Sequence, residues 1–413
     1  MTAVFVFIDM EILEAKKTVV RAGLLLVKEG LIQRTWGNVS CRIDETRFAI
    51  TPSGRDYLSL TPDDIVIVNV KDLRYEGEIK PSSEKGIHAK CYELRPEVNF
   101  VIHTHQTYAS LLGLTGCDVN GLEGDAKDVI GDHVPLAAYG LPGTKKLRKG
   151  VTDAILRSDS RAVLMLHHGA LCMGGDLEDA FRVANTLEHV CKERILKQFR
   201  TITDKTADSF DSIAAYVSAN LQKRSSDVQL DAYDSVKVFG AVEMTPSDGG
   251  ETVCVDLASG LPLDPYANCP DTAKLHTAIY NKRKDVNAIV HSKEPATLSL
   301  SKAGVTVKPF LDDFAQIVGI TLRTANYDPE NAKRGVKKVV KKLRGRDAVL
   351  LDHNGALCVG ADTEEAEAVK LVTEKGCKAF VAASIFEKQN GAINTAESLL
   401  MRVIYKAKYA KKK

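Results

Sequence analysis

The chain has 413 residues, with 56 Lys and Arg against 54 Asp and Glu, a formal net charge of +2. A balance that close to neutrality gives no electrostatic case for nucleic-acid binding, which needs a clustered positive surface. The 44% hydrophobic and 27% charged fractions are those of an ordinary globular protein and exclude disorder, a collagen and a membrane channel. At about 150 residues per domain, the length predicts two or three domains.

In chain order, Met1 to Met10 (MTAVFVFIDM) is apolar but lacks a charged start and is interrupted by Asp9. It is expected to be a buried or edge segment rather than a signal peptide. No later run reaches the ~18 to 20 apolar residues that span a bilayer, so no membrane partner is expected. The nine cysteines are odd in number and form no CxxC pair, which predicts reduced thiols and a cytoplasmic protein. The runs FAIT from Phe48 and DIVIVNV from Asp64 are strand-like. Interleaved with them are three hydroxyl- and Gly-rich clusters: Thr35-Trp36-Gly37-Asn38-Val39-Ser40, Thr51-Pro52-Ser53-Gly54 and Pro81-Ser82-Ser83. Turns that present N–H groups and hydroxyls beside a helix start can cradle a phosphate. Each cluster alone is equally an ordinary turn or N-cap.

Ser83–Leu94 has helical spacing and places Glu84 at the helix start; Val98–His103 is a short β-branched strand. It ends in His103-Thr104-His105, where side chains at i and i+2 of a strand share a face. Arg161–Leu166 is a second buried strand, followed at once by His167-His168-Gly169. Asp176–Lys192 then carries Leu177, Ala180, Val183, Ala184, Leu187, Val190 and Cys191 on one helical stripe. Strands mixed with helices in this way predict a layered α/β domain. An HxH alone is a weak metal signal, His167 alone suits packing, and Glu84 alone could complement a helix N-terminus. Together, three imidazoles and a carboxylate suit zinc, with a position left open for water or substrate.

The chain also repeats itself. Arg161–Lys192 and Asp347–Lys378 align without a gap and share about half their residues. Upstream, HAKCYELRPEVNFVIHTH from His88 matches HTAIYNKRKDVNAIVHSK from His276. A repeat of about 190 residues is too long for a solenoid unit and predicts two homologous domains. The polar stretch Thr201–Ser209 marks the join, giving domains over 1–205 and 206–413.

GNVS, TPSG, PSSE, HTH and HHG, in that order, together with VPLAAYGLPGT at Val134–Thr144, resemble the class II aldolase/adducin family. The resemblance spans roughly Glu11 to Lys197. It implies a three-layer α/β/α fold, here in two tandem copies, and a divalent metal, usually zinc. The family's motif histidines fall on His103, His105 and His168, with His167 a neighbour. Its acid/base falls on Glu84, and its phosphate-binding groups fall on Gly37, Asn38, Ser53, Gly54, Ser82 and Ser83. The implied activity is cleavage of a ketose phosphate resembling L-fuculose 1-phosphate to dihydroxyacetone phosphate and an aldehyde. The aldolases carry a catalytic Tyr beyond the HxH, but Gly116–Gly131 contains none, and Asp125 lies roughly where the epimerases place an acid. A pentulose-phosphate 4-epimerase or sugar-phosphate dehydratase, and a non-catalytic adducin-like scaffold, are therefore the alternatives.

In the second copy His291 matches His103, but Lys293 matches His105, Asn354 matches His168 and Thr272 matches Glu84. No counterpart of GNVS or TPSG is evident. An ammonium beside a cation is repulsive, so this copy is expected to be structural. Sites in the family lie at subunit contacts of cyclic tetramers, which implies that a homodimer of this tandem chain forms a pseudo-tetramer. Lys333–Arg346 has the pattern of a solvated amphipathic surface helix, and the tail Lys406–Lys413 that of a disordered end.

Overall fold

The computed structural model describes residues 10–32, 36–222 and 228–408. The apolar start up to Asp9, Thr35 and the tail from Tyr409 lie outside the described residues. The chain divides into two compact units, Met1–Gln198 and Phe199–Lys413. The expected boundary, after residue 205, lies a few positions later than this division. The division falls within the helix Leu177–Thr203, and Phe199, the first residue of the second unit, meets that unit's own Tyr216 ring at 5.2 Å.

The first unit opens with helix α1 (Ile12–Lys28) and strands β1 (Gly37–Arg42), β2 (Arg47–Ile50) and β3 (Val66–Asn69). Helix α2 (Lys85–Leu94), strand β4 (Phe100–Thr104) and helix α3 (Thr107–Gly113) follow. A short excursion, β5 (Val119–Asn120), α4 (Gly124–Ile130) and β6 (His133–Val134), leads to β7 (Leu136–Ala137) and α5 (Lys145–Leu156). Strands β8 (Ala162–Met165) and β9 (Gly169–Gly174) and the long helix α6 (Leu177–Thr203) complete it. The sheet order is β3-β2-β1-β4-β9-β8-β7, antiparallel except for the β7–β8 pair. One face of the sheet (Phe48, Ile50, Val101, Val163, Leu171) packs against Ile87 and Tyr92 of α2 and Val151 and Ile155 of α5 in one buried core. Helices α1 and α3 contact the sheet without entering that cluster. The fold is thus three-layer α/β/α, because each strand alternates its side chains between two helical layers.

The second unit runs α7 (Phe210–Leu221), β10 (Tyr233–Val238), β11 (Ala241–Pro246), β12 (Val253–Asp256), α8 (Ala273–Lys282), β13 (Ala288–Ser292) and α9 (Pro295–Ala303). It continues with α10 (Asp312–Ile317), β14 (Thr324–Ala325), α11 (Ala332–Leu343), β15 (Ala348–Leu351), β16 (Ala356–Gly360), α12 (Thr363–Ile385) and α13 (Thr395–Lys408). Its sheet order, β12-β11-β10-β13-β16-β15-β14, repeats that of the first. The α11 stripe is as expected, with Val339 and Leu343 buried.

Strand register corrects one expectation. Ser40 pairs with Val101 and Ile50, and Ser235 pairs with Ile289 and Met244. Ala232-Tyr233-Asp234-Ser235 therefore stands where GNVS stands, and Thr245-Pro246-Ser247-Asp248 stands where TPSG stands. The counterparts exist, but the connection between β11 and β12 is shorter than the one between β2 and β3, so an ungapped comparison slips there. All nine cysteines are free, and among the described residues no helix is long and apolar enough to cross a membrane.

Candidate functional site

Four elements converge on one point. Strand β4 ends at Thr104 with His103 as its penultimate residue, and His105 follows the strand end. The tight β8–β9 turn carries His168, whose N–H donates to the Met165 carbonyl at 3.1 Å. Gly169 follows because any Cβ there would collide with the Thr104 carbonyl oxygen. That close backbone approach sets His168 against the HTH segment. Glu84 is the N-cap residue of α2. Fractional exposures are 0% for His103, 2% for His168, 7% for Glu84 and 8% for His105.

Ligand atoms of His103, His105 and His168 lie within 4.8 Å of one another. The His103 and His168 rings stack at 4.7 Å, and His105 meets them edge-on at 5.0 and 4.6 Å. His103 Nδ1 is 2.9 Å from the Ala170 carbonyl, which can only accept, so Nδ1 carries the proton. Its buried Nε2 then presents a lone pair, has no hydrogen-bond partner of good geometry, and lies 3.2 Å from Glu84 Oε2. His168 Nε2 is 2.9 Å from Glu84 Oε1. A backbone carbonyl fixing the tautomer of one imidazole, and three nitrogens gathered together with a carboxylate beside two of them, are the donor set a divalent cation needs. Burial alone would raise the Glu84 carboxyl, but the positive charge that His103 or His168 brings beside it when protonated holds it well below the usual carboxylate range.

Behind Glu84 lies a buried chain that the sequence reading did not single out. Tyr92 and His88 each hydrogen-bond Ser40 Oγ, at 2.6 and 2.7 Å. His88 Nε2 donates to Asn38 Oδ1, and Asn38 Nδ2 donates to Glu84 Oε2 at 3.1 Å. Burial and the nearby His103 push His88 down to about 3, so it stays neutral. Asn38, one of the expected phosphate-binding residues, has its amide on the Glu84 carboxylate. His88 lies one helical turn beyond Glu84, and that spacing was the available signal.

The three turns expected to hold phosphate are stitched together. Thr51 N–H donates to the Val39 carbonyl at 3.1 Å, Ser53 N–H to Lys80 at 2.9 Å and Ser82 N–H to Thr51 at 3.0 Å. Gly37 accepts from Tyr57 Oη at 2.8 Å, and Glu84 N–H donates to Ser82 Oγ at 3.2 Å. Gly54 and Ser83 are exposed, Ser53 is half-buried and Ser82 is buried. Gly54 has φ +70, the left-handed region that glycine enters without strain. His167 (φ 64) turns instead to the Tyr139 ring at 5.1 Å. Asp125 is exposed in the first turn of α4.

In the second unit the equivalent positions make different bonds. Lys293 Nζ donates to the Leu230 carbonyl at 2.7 Å. Asn354 accepts from Leu230 N–H at 2.8 Å and donates to the Val228 carbonyl at 3.0 Å. The unit's own backbone is therefore tied to the side chains that replace two of the histidines. His291 Nε2 donates to the Asn354 carbonyl at 2.7 Å, the reverse of the ring polarity of His103. Thr272 is the N-cap residue of α8 as Glu84 is of α2. Asp248 and Asp271 occupy the positions of Gly54 and Ser83.

Residues 17–195 and 240–381 both match one family model, the class II aldolase and adducin N-terminal domain. A 5-deoxy-D-ribulose 1-phosphate aldolase of Bacillus thuringiensis serovar kurstaki is 33% identical over 174 residues, 42% of this chain and 80% of that protein. A 5-methylthioribulose-1-phosphate/5-deoxyribulose-1-phosphate aldolase of Escherichia coli is 39% identical over 159 residues, 38% of this chain and 73% of that protein. An L-fuculose phosphate aldolase of Haemophilus influenzae is 31% identical over 175 residues, 42% of this chain and 79% of that protein.

Proposed function

The chain belongs to the class II aldolase/adducin family, and on that premise we propose that it is a metal-dependent sugar-phosphate aldolase whose chemistry resides in the first unit. The substrate would be a ketose phosphate resembling L-fuculose 1-phosphate, cleaved to dihydroxyacetone phosphate and an aldehyde. The observation that carries the reading is the gathering of three buried imidazoles, two of them against one buried carboxylate. His103, His105 and His168 would hold zinc or another divalent ion, which supplies Lewis-acid polarisation of a carbonyl. Glu84, kept ionised by its imidazole neighbours and aimed by Asn38, accepts and returns the proton. Gly37, Ser53, Gly54, Ser82 and Ser83 would hold the phosphate end and so orient the sugar.

The family's other chemistries, epimerisation and dehydration, are kept as the second reading by the absence of Tyr from Gly116–Gly131. A scaffold role fits poorly with a first unit that retains every motif histidine. The reading also includes a duplicated origin for the two units, a cytoplasmic location and a homo-oligomer. The test is incubation of the metal-loaded protein with ketopentose and ketohexose 1-phosphates. Dihydroxyacetone phosphate is expected, and its release should stop on chelation. A new epimer without any triose phosphate would overturn the aldolase assignment.

A further inference from the structure

The Glu84 carboxylate is engaged by His103, His168 and Asn38. The chain that carries it also borders a cavity of about 180 Å³, lined by Ser83, Lys85, Gly143, Thr144, Lys145 and Arg148. We propose that this cavity is a second anion site, which takes a phosphate group between Lys85, Lys145 and Arg148.

Three cations from two helices meet there, and the one carboxylate residue of the lining, Glu84, is engaged by Asn38, His103 and His168 instead. Among the described residues, none of the three has a carboxylate within ion-pair distance. Their neighbours on the same helices do: Lys90 pairs with Glu93 at 2.5 Å and Lys149 with Asp153 at 2.8 Å. Lys85 meets the Tyr75 ring at 5.7 Å. Burial, and the charge of Arg148, lower its affinity for its own proton, the mark of like charges held together. Gly86 makes that approach available. A Cβ there would stand 2.9 Å from Arg148 Cδ and 3.0 Å from its Nη1, so the guanidinium lies against the first turn of α2 in space that only glycine leaves.

The shape of the cavity selects the ligand class. Helices α2 and α5, of 10 and 12 residues, both begin at its wall, which adds their positive ends to the three side-chain charges. A volume of about 180 Å³ falls below the ~300 Å³ at which pockets for drug-sized ligands begin. It suits a tetrahedral oxyanion better than a larger ligand. Planar guanidinium donors favour phosphate over a simple halide. Ser83, exposed at the rim, is shared with the turn assigned to the substrate's phosphate. The bound group is therefore either that phosphate or free inorganic phosphate.

Calorimetric titration of the full chain with inorganic phosphate tests the site. The Lys85→Gln/Arg148→Gln variant is expected to bind phosphate about tenfold or more weakly, or to lose one phosphate per chain, through loss of charge-assisted bonds. Its metal content and thermal midpoint should be unchanged. Identical isotherms for wild type and variant would overturn the proposal. Kinetics separate the sources. If the sugar's phosphate occupies the cavity, KM rises about tenfold, kcat holds, and inorganic phosphate competes. If free phosphate is the ligand, KM is unchanged and inorganic phosphate alters the rate without competing. The calorimetric arm needs neither the metal nor sugar-phosphate cleavage, so failure of the aldolase reading would leave it intact and readable.

Discussion

Glu84 depends on its partners more than on its own burial. A carboxylate with 7% exposure would ordinarily hold its proton; the positive charge of its imidazole neighbours, when protonated, reverses that, and the Asn38 amide aims it. Asn38 is the outermost of these partners, its side chain bonding Glu84 on one side and His88 on the other. Asn38→Ala removes the donor to Oε2 and the acceptor for His88. Outer partners of this kind are worth roughly 10–100-fold in activity, so kcat should fall by about that much while the metal stays bound. His105→Ala, by contrast, should lose both metal and activity. Mass-spectrometric metal counts beside steady-state rates distinguish the two cases. An Asn38→Ala enzyme with full kcat would show that Glu84 is positioned otherwise.

Helices α2 and α8 repeat one buried device. Ser40, His88 and Tyr92 in the first unit correspond to Ser235, His276 and Tyr280 in the second, with Ser235 Oγ 2.8 Å from both partners. Each strand serine ties its helix to the sheet through a neutral imidazole, and burial pushes His276, like His88, down to about 3. In the unfolded chain such an imidazole takes a proton near pH 6.5. Between about 6.5 and 3 the unfolded state therefore binds more protons than the folded one, and stability falls as pH falls. The slope is up to about 1.4 kcal/mol per pH unit for each histidine. His276→Gln should start less stable at pH 7, having lost a buried hydrogen bond, yet lose less on going to pH 5. Urea unfolding at both values measures this, and parallel losses in wild type and variant would remove His276 as the cause. The helix itself was legible from its spacing, as were β4, β8 and the stripe of α6, because apolar periodicity reports one-sided burial. The hydrogen bonds were not: a serine on β1 and a histidine on α2 meet only once the strand order is known.

At the scale of the whole chain, the motif histidines and Glu84 were readable because metal-ligand residue types stand out against apolar strands. The fate of the second unit was readable only in part. Its lost histidines are visible in the sequence, but the backbone from Val228 to Leu230 that now bonds to Lys293 and Asn354 is far from both in sequence, and nothing in its composition announces the contact. That contact makes the loss hard to reverse. Restoring the motif by Thr272→Glu, Lys293→His and Asn354→His would remove three bonds that hold this segment. It would also leave His291 with Nε2 committed to the residue 354 carbonyl and only Nδ1 free, the opposite of the ring polarity of His103. Reordering both ring and segment takes more than three side chains. The triple variant is therefore expected to bind about one metal per chain, as the wild type should, and to be less stable by a few kcal/mol, since each unsatisfied buried group costs about 1–3 kcal/mol. Metal analysis after dialysis decides it: two ions per chain would mean that the second unit keeps a latent site and that side-chain loss alone silenced it.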